Sequence, residues 1–210
     1  MSTQTEKKFV TTGRSLAAQP KGPVRLRFIE HGDATFIEIG VDYERAEVPD
    51  RRYYADYCSV IQARSGLSLA FGRLVPGAST LRTKVEISFP ETLFVRQLWH
   101  SSRKFHEVLG EEFKDRRLVE IQELRDTDFV QAFRANNVFM ARMGDDAVLD
   151  FYYIAPPDIH FVRVGRRSDV YLEPIIRIAM PTVLMLEFLD QCRPHAERLH
   201  DLVDENSHEQ

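Results

Sequence analysis

Residues Ile175–Leu189 read IIRIAMPTVLMLEFL, and this stretch decides the fold. The six residues from Ile175 to Met180 suit a strand, Pro181 follows, and a strongly apolar helical pattern begins. Proline fits the first turn of a helix, where its missing N–H breaks no hydrogen bond. Leu184, Met185, Leu186, Phe188 and Leu189 cover more than one stripe of that helix. An arc so wide predicts burial on two sides, with this helix at the centre of the fold. The same transition occurs at Val85–Leu98, VEISFPETLFVRQL. There Glu91 follows Pro90 and suits the positive end of a helix dipole. Two strand–Pro–helix junctions in 210 residues predict a unit that occurs twice.

Working outward, the segments before each junction alternate as strands do. VRLRFI (Val24–Ile29) and TFIEIGV (Thr35–Val41) flank His31-Gly32-Asp33 and predict a β-hairpin. Tyr53–Ala63, Leu67–Val75 and Arg82–Phe89 are expected strands, broken by Ser65-Gly66 and Pro76-Gly77. The first helix is expected to end at Gly110. In the second half, LVEIQEL (Leu118–Leu124), Asn137–Met143 and Ala147–Ile154 are expected strands, and Pro156-Pro157 ends the last of them. Thr127–Phe133 reads as a short helix or a loop, and Asp158–Glu173 as a long connection. Pro194 is expected to kink or interrupt the second helix.

The halves superimpose by sequence. Ala55, Leu69, Phe71 and Pro76 meet Ala135, Leu149, Phe151 and Pro156, each 80 positions on, while Pro90 meets Pro181, 91 positions on. One insertion between Pro156 and Ile175 accounts for the difference. An ordered series of matched strands and turns is the mark of duplication. The expected architecture is therefore α+β, with two tandem repeats, each a small antiparallel β-sheet followed by a long helix started by proline. The expected boundaries are a mobile N-terminal arm over 1–22, a first unit over 23–110, a connector over 111–117, a second unit over 118–203 and an acidic tail over 204–210.

Particular residues carry a family resemblance. They are Tyr54-Ala55-Asp56, Leu69-Ala70-Phe71-Gly72, Pro76-Gly77 and Pro90-Glu91 in the first half, with Phe105-His106 and Leu109-Gly110 at the helix end. In the second half they are Ala135-Asn136, Leu149-Asp150-Phe151 and Met180-Pro181. Each half resembles the small bacterial domain of unknown function 3467 family over residues 35–110 and 118–203. The chain departs from that pattern at Asp56, Ala70, Phe89 and Met180. The resemblance implies architecture, and it supplies no catalytic residues. A single chain with two such units is expected to mimic a homodimer of the one-domain family.

Composition narrows the function classes. The chain is 43% hydrophobic and 29% charged with a formal net charge of −4, so no global basic field favours nucleic acid. Apolar runs fall far short of the roughly 20 residues that span a bilayer, and the first 22 residues contain no apolar core of signal-peptide length. A cytoplasmic protein without a membrane partner is expected. Cys58 and Cys192 lack disulfide or metal spacing and read as small core residues. His195 and His200 are five apart on a helix, and His100 and His106 six apart, so neither pair converges on a metal. No phosphate loop or nucleophile elbow is present. The expectation is a protein that is not an enzyme and takes no cofactor.

The candidate contacts are few. Arg163, Arg166 and Arg167 on the inserted segment could grip phosphates or a partner's carboxylates. Trp99, Met185 and Phe188 are the candidate apolar partner surface, against the plainer reading that they fill the core. Asp150 points away from Leu149 and Phe151, as an acid in a groove, a solvent-facing strand residue, or a partner in an ion pair with Arg142 or Arg177. Arg51-Arg52 and Arg116-Arg117 precede corresponding strands and read as solubilising boundaries. The favoured function is a protein-interaction or scaffold role, through a protein partner or self-association in an oligomer. The alternatives are a chaperone similar in layout to SecB, and a nucleic-acid accessory factor using the arginine segment, which is the less favoured partner.

Overall fold

The structure is a computed structural model that describes residues 22–31, 34–63, 66–74, 80–90, 103–115, 122–124 and 130–208. The expected arm up to residue 21, the start of the first long helix, residues 116–117 of the expected connector and the first four residues of the expected strand 118–124 lie outside these. The fold is mixed α+β, mostly strands, with three helices among the described residues. The chain divides into two compact units, Met1–Glu47 with Ile154–Leu172, and Val48–Tyr153 with Glu173–Gln210.

The smaller unit holds the expected hairpin. Strands β1 (Val24–His31) and β2 (Ala34–Val41) pair antiparallel from Val24↔Val41 to His31↔Ala34. The Asp42 N–H extends the ladder by donating to the Pro23 carbonyl at 2.7 Å. The unit also contains helix α2 (Pro156–Arg163), where sequence predicts a loop. Pro156-Pro157 starts this helix as well as ending a strand, since proline is pre-shaped for a first turn, and Asp158 favours its N-terminus. Gly165, at φ 71°, closes it: the Gly165 N–H donates to the Val162 carbonyl and the Arg166 N–H to the Phe161 carbonyl.

The larger unit has two sheets. One runs β3 (Arg52–Tyr54), β11 (Glu173–Pro181), β10 (Asp146–Tyr153), β9 (Asn137–Met143). The other runs β4 (Tyr57–Ala63), β5 (Gly66–Leu74), β6 (Thr80–Phe89), β7 (Gln122–Leu124), with β8 (Gln131–Arg134) also on β6. The residues left open as helix or loop thus include a strand. The expectation of antiparallel sheets is corrected in part, because β3 runs parallel to β11 and both β7 and β8 run parallel to β6. Parallel partners are distant in sequence, so no local turn signal announces them.

Helix α1 covers residues 103–112 and α3 covers Thr182–His208. Helix α1 continues past Gly110, so that glycine is not its C-cap. Helix α3 runs through Pro194 without a break and carries the chain to His208, past the expected tail boundary. Pro181 itself still belongs to β11, opposite Asp146. The Thr182 hydroxyl and backbone N–H both donate to the Asp145 carbonyl at 2.8 Å, tying the helix start to the β9–β10 turn.

Phe71 on β5 meets Phe151 on β10 at 6.0 Å between ring centroids, and Phe188 on α3 at the same distance. Leu184, Met185, Leu186, Phe188, Leu189 and Cys192 are all buried, which matches the wide apolar arc. On the β4 edge, the Val60 N–H donates to Gln191 Oε1 at 2.9 Å, and Gln191 Nε2 donates to the Cys58 carbonyl at 3.3 Å. The Gln191 amide thereby substitutes for a neighbouring strand and covers an otherwise open edge.

Candidate functional site

In the larger unit, a cleft of about 780 Å³ opens beside β3, a volume within the usual range for small-molecule sites. Arg51 to Tyr54, Arg73 on β5, Lys84 and Val85 on β6, Gln131 on β8 and Ile176 on β11 line it. Four of these side chains are cationic. Among the described residues that line the cleft, none carries a carboxylate. Val85 and Ile176 are buried and form an apolar floor.

The walls are held by local contacts. Arg73 Nε donates to the Tyr54 carbonyl at 3.0 Å, and its guanidinium lies 5.7 Å from the Tyr54 ring centroid. The Tyr54 hydroxyl donates to Asp146 Oδ1 at 3.1 Å. Arg51 lies over the Phe133 ring at 5.4 Å, and its backbone carbonyl accepts from the Arg177 N–H at 2.8 Å. Such cation–ring contacts fix a guanidinium without neutralising it. Arg52 is exposed and has no side-chain ion pair among the described residues.

Tyr53 is the unusual member. Its hydroxyl is buried and makes no hydrogen bond to any described residue. An unsatisfied buried hydroxyl costs about 1–3 kcal/mol. Burial pushes the phenol above its ordinary value, with Arg73 opposing and Asp56 reinforcing the shift. At neutral pH this group keeps its proton, and its shielded oxygen does not line the cleft.

A second polar feature lies across β10 and β11. Arg177 Nε and Nη2 donate to Asp150 Oδ1 and Oδ2, both at 2.6 Å. Asp150 is 2% exposed. Of the alternatives that sequence leaves open for it, the ion pair with Arg177 is the one present. Arg142 instead grips Glu112, with Nη1 to Oε2 at 2.5 Å and Nη2 to Oε1 at 2.7 Å. The hydrogen bond to Asp150 raises the Arg177 pKa, against the effect of burial.

The three inserted arginines sit at the end of α2 and in its closing turn. Arg167 bonds to Asp158 and lies 5.4 Å from the Phe161 ring centroid, so it is engaged within its own unit. Arg163 and Arg166 are exposed. A pocket of about 340 Å³ in that unit has Arg45 and Arg167 against Glu47 and Asp169, with no net charge among them. Met185 and Phe188 are 0% exposed. They are core residues and cannot form a partner surface, because the face of α3 that carries them packs against the sheets. Trp99 lies outside the described residues. The exposed large apolar residues Val48, Leu74, Val108, Met143, Val164 and Tyr171 fall on different elements or loops, an ordinary scatter.

Sequence reasoning missed the cleft. Arg51 and Arg52, read as solubilising boundaries, are two of its four cations. The clue available was the adjacent Tyr53-Tyr54, since aromatic rings beside arginines are a recognition pairing.

Among the described residues, no group of His, Cys, Asp and Glu side chains is arranged to hold a metal, and no helix is long and apolar enough to cross a membrane. Comparison with protein-family models, with curated proteins and with solved structures found no match.

Proposed function

We propose that the chain is a non-enzymatic binding protein made of two copies of one strand–strand–strand–strand–helix unit, and that its cationic cleft receives an anionic partner. Matching registers support the two-copy reading. Leu69↔Ile87 and Phe71↔Val85 on β5–β6 correspond to Leu149↔Ile178 and Phe151↔Ile176 on β10–β11. Both ladders shift register directly after the phenylalanine. Each copy lends its first strand to the other's sheet: Ile178 pairs with Tyr53, and Ile87 with Phe133. The Ala55 N–H donates to the Ala179 carbonyl, and the Ala135 N–H to the Ser88 carbonyl. Such an exchange gives one chain the contacts that a dimer of single units would make.

The observation that carries the function is the cleft: Arg51, Arg52, Arg73 and Lys84 around Tyr53, with no lining carboxylate among the described residues. Four cations gathered in one concavity of a chain with net charge −4 set up a local field that attracts anions. The interaction surface on this reading is polar, where sequence suggested an apolar one. Retention on heparin–agarose at low salt tests it. The full chain is expected to bind and to elute as salt rises, while Arg52→Glu with Arg73→Glu flows through with an unchanged circular dichroism spectrum. Flow-through of the parent chain, or equal retention of the variant, refutes the reading.

A further inference from the structure

We infer that the cleft beside β3 is a binding site for a phosphorylated small molecule of nucleotide size, whose phosphate is held among the guanidinium groups of Arg51, Arg52 and Arg73. The inference rests on the proposed anionic-partner reading and specifies its ligand.

Three observations lead to it. First, three of the cations are not required by the fold. In the two-copy frame, Arg51, Arg52 and Lys84 correspond to Gln131, Ala132 and Ile175. The second copy builds the same strands with no charge at these positions. Arg73 differs, because its stacking on the Tyr54 ring is matched in the second copy by Arg134 over the Tyr153 ring at 5.9 Å, with the partners exchanged. Charge confined to one copy points to a ligand.

Second, the donors suit phosphate better than a single carboxylate. A tetrahedral phosphate offers several acceptor oxygens and up to two negative charges. Three guanidinium forks match that geometry, and Lys84 adds a point charge.

Third, the site is a concavity with an apolar floor. Val85 and Ile176, with the Tyr54 ring in the wall, suit the non-phosphate part of a ligand. A nucleic-acid strand needs a track of cations along its backbone, whereas these four gather within one cleft.

Isothermal titration of the full chain at low salt with inorganic phosphate, pyrophosphate and a nucleoside triphosphate tests the inference. Saturable binding near one site per chain is expected, tightest for the triphosphate. Arg52→Gln is expected to weaken it about tenfold or more, the worth of a hydrogen bond to a charged group. The same variant is expected to leave the melting temperature of the unliganded protein unchanged, because Arg52 is exposed. An arginine that only solubilises the surface would leave the affinity unchanged. Arg103→Ala, at an exposed α1 residue paired with Glu107, is expected to bind like the parent. Unchanged affinity in Arg52→Gln overturns the inference, as does tighter binding of a single-stranded oligonucleotide or an acidic peptide than of the triphosphate. Charge-dependent heparin retention without saturable phosphate binding overturns the inference alone, and loss of heparin retention overturns the anionic-partner reading beneath it.

Discussion

Gly72→Ala places one methyl group where the backbone leaves no room for it. Gly72 sits at the irregularity between β5 and β6, next to the point where Phe71↔Val85 gives way to Gly72↔Thr83. A Cβ there would lie 2.9 Å from the Arg82 carbonyl carbon, 3.1 Å from Thr83 Cα and closer still to the Arg82 carbonyl oxygen. Ordinary contacts between such atoms are about 3.5–4.0 Å. All three obstacles are backbone, so no rotamer change relieves them, and β5 and β6 must part by roughly 1 Å to reach that range. Overpacking of this kind costs about 1–3 kcal/mol, and a weakened ladder hydrogen bond adds about 1 kcal/mol. Restricting the unfolded chain returns about 0.4–1 kcal/mol. The expected net loss is about 1–3.5 kcal/mol, taken from those ranges. Gly110→Ala is the control of opposite sign. It lies in α1 with nothing within 4 Å of the added Cβ, and replacing a helical glycine with alanine gains about 0.5–1 kcal/mol. Urea unfolding at constant m-value measures both. A Gly72→Ala midpoint equal to the parent's would refute the reasoning, because it would mean that the β5–β6 ladder has slack at this position.

Two further outcomes follow from buried polar groups. Asp150→Ala strands Arg177, whose side chain is 21% exposed, and should cost about 3–5 kcal/mol in chemical denaturation. Asp150→Leu combined with Arg177→Met should recover most of that, and a single-variant loss near zero would show that water replaces the pair. Tyr152 has its phenol pushed up to about 12 by burial, with Asp150 adding and Arg177 opposing. Below pH about 10 both folded and unfolded states hold this proton. Above it the unfolded state ionises first, so stability should fall as pH rises from about 10 to about 12. Urea midpoints across that interval should drop in the parent chain and drop less in Tyr152→Phe; equal declines would remove Tyr152 as the cause.

What was legible in the sequence was local. The strand–Pro–helix stretch at Ile175–Leu189 marked β11 and α3, because alternation and a wide apolar arc are properties of adjacent residues. It also ranked α3 as central, and Met185, Phe188 and Leu189 are fully buried. The partner of β3 was not legible. Arg52 pairs with Arg177, and no turn chemistry spans such a distance. Helix α2 was hidden by its short length and by Pro156-Pro157, which ends a strand and begins a helix with the same residues. The role of Asp150 was half legible: alternation placed it opposite Leu149, and only the register Asp150↔Arg177 chose among its partners.

The cleft was hidden for a different reason. Arg51, Arg52, Arg73 and Lys84 belong to a loop and three strands, and nothing in their spacing shows that the folded chain gathers them. On the two-copy reading, however, a usable signal was already present. Once Ala55 is set against Ala135 and Phe71 against Phe151, the apolar positions agree between copies because both must fill the same core. Positions where one copy is cationic and the other uncharged are released from that demand. Arg51 against Gln131, Arg52 against Ala132 and Lys84 against Ile175 are three such differences, and all three cations line one cleft. Arg73 against Tyr153 is not a fourth, because Arg134 stands at the Tyr54 position and lies over the Tyr153 ring at 5.9 Å. In a duplicated chain, agreement between copies reports packing, and one-sided charge reports what a single copy has been free to acquire. Reversing the asymmetry makes the argument testable. Gln131→Arg with Ala132→Arg adds cations at the matching positions of the second copy, one of them in the cleft itself. The double variant should keep the fold and strengthen heparin retention. A large loss of stability would mean that the second copy tolerates no charge there, and the asymmetry would then reflect packing.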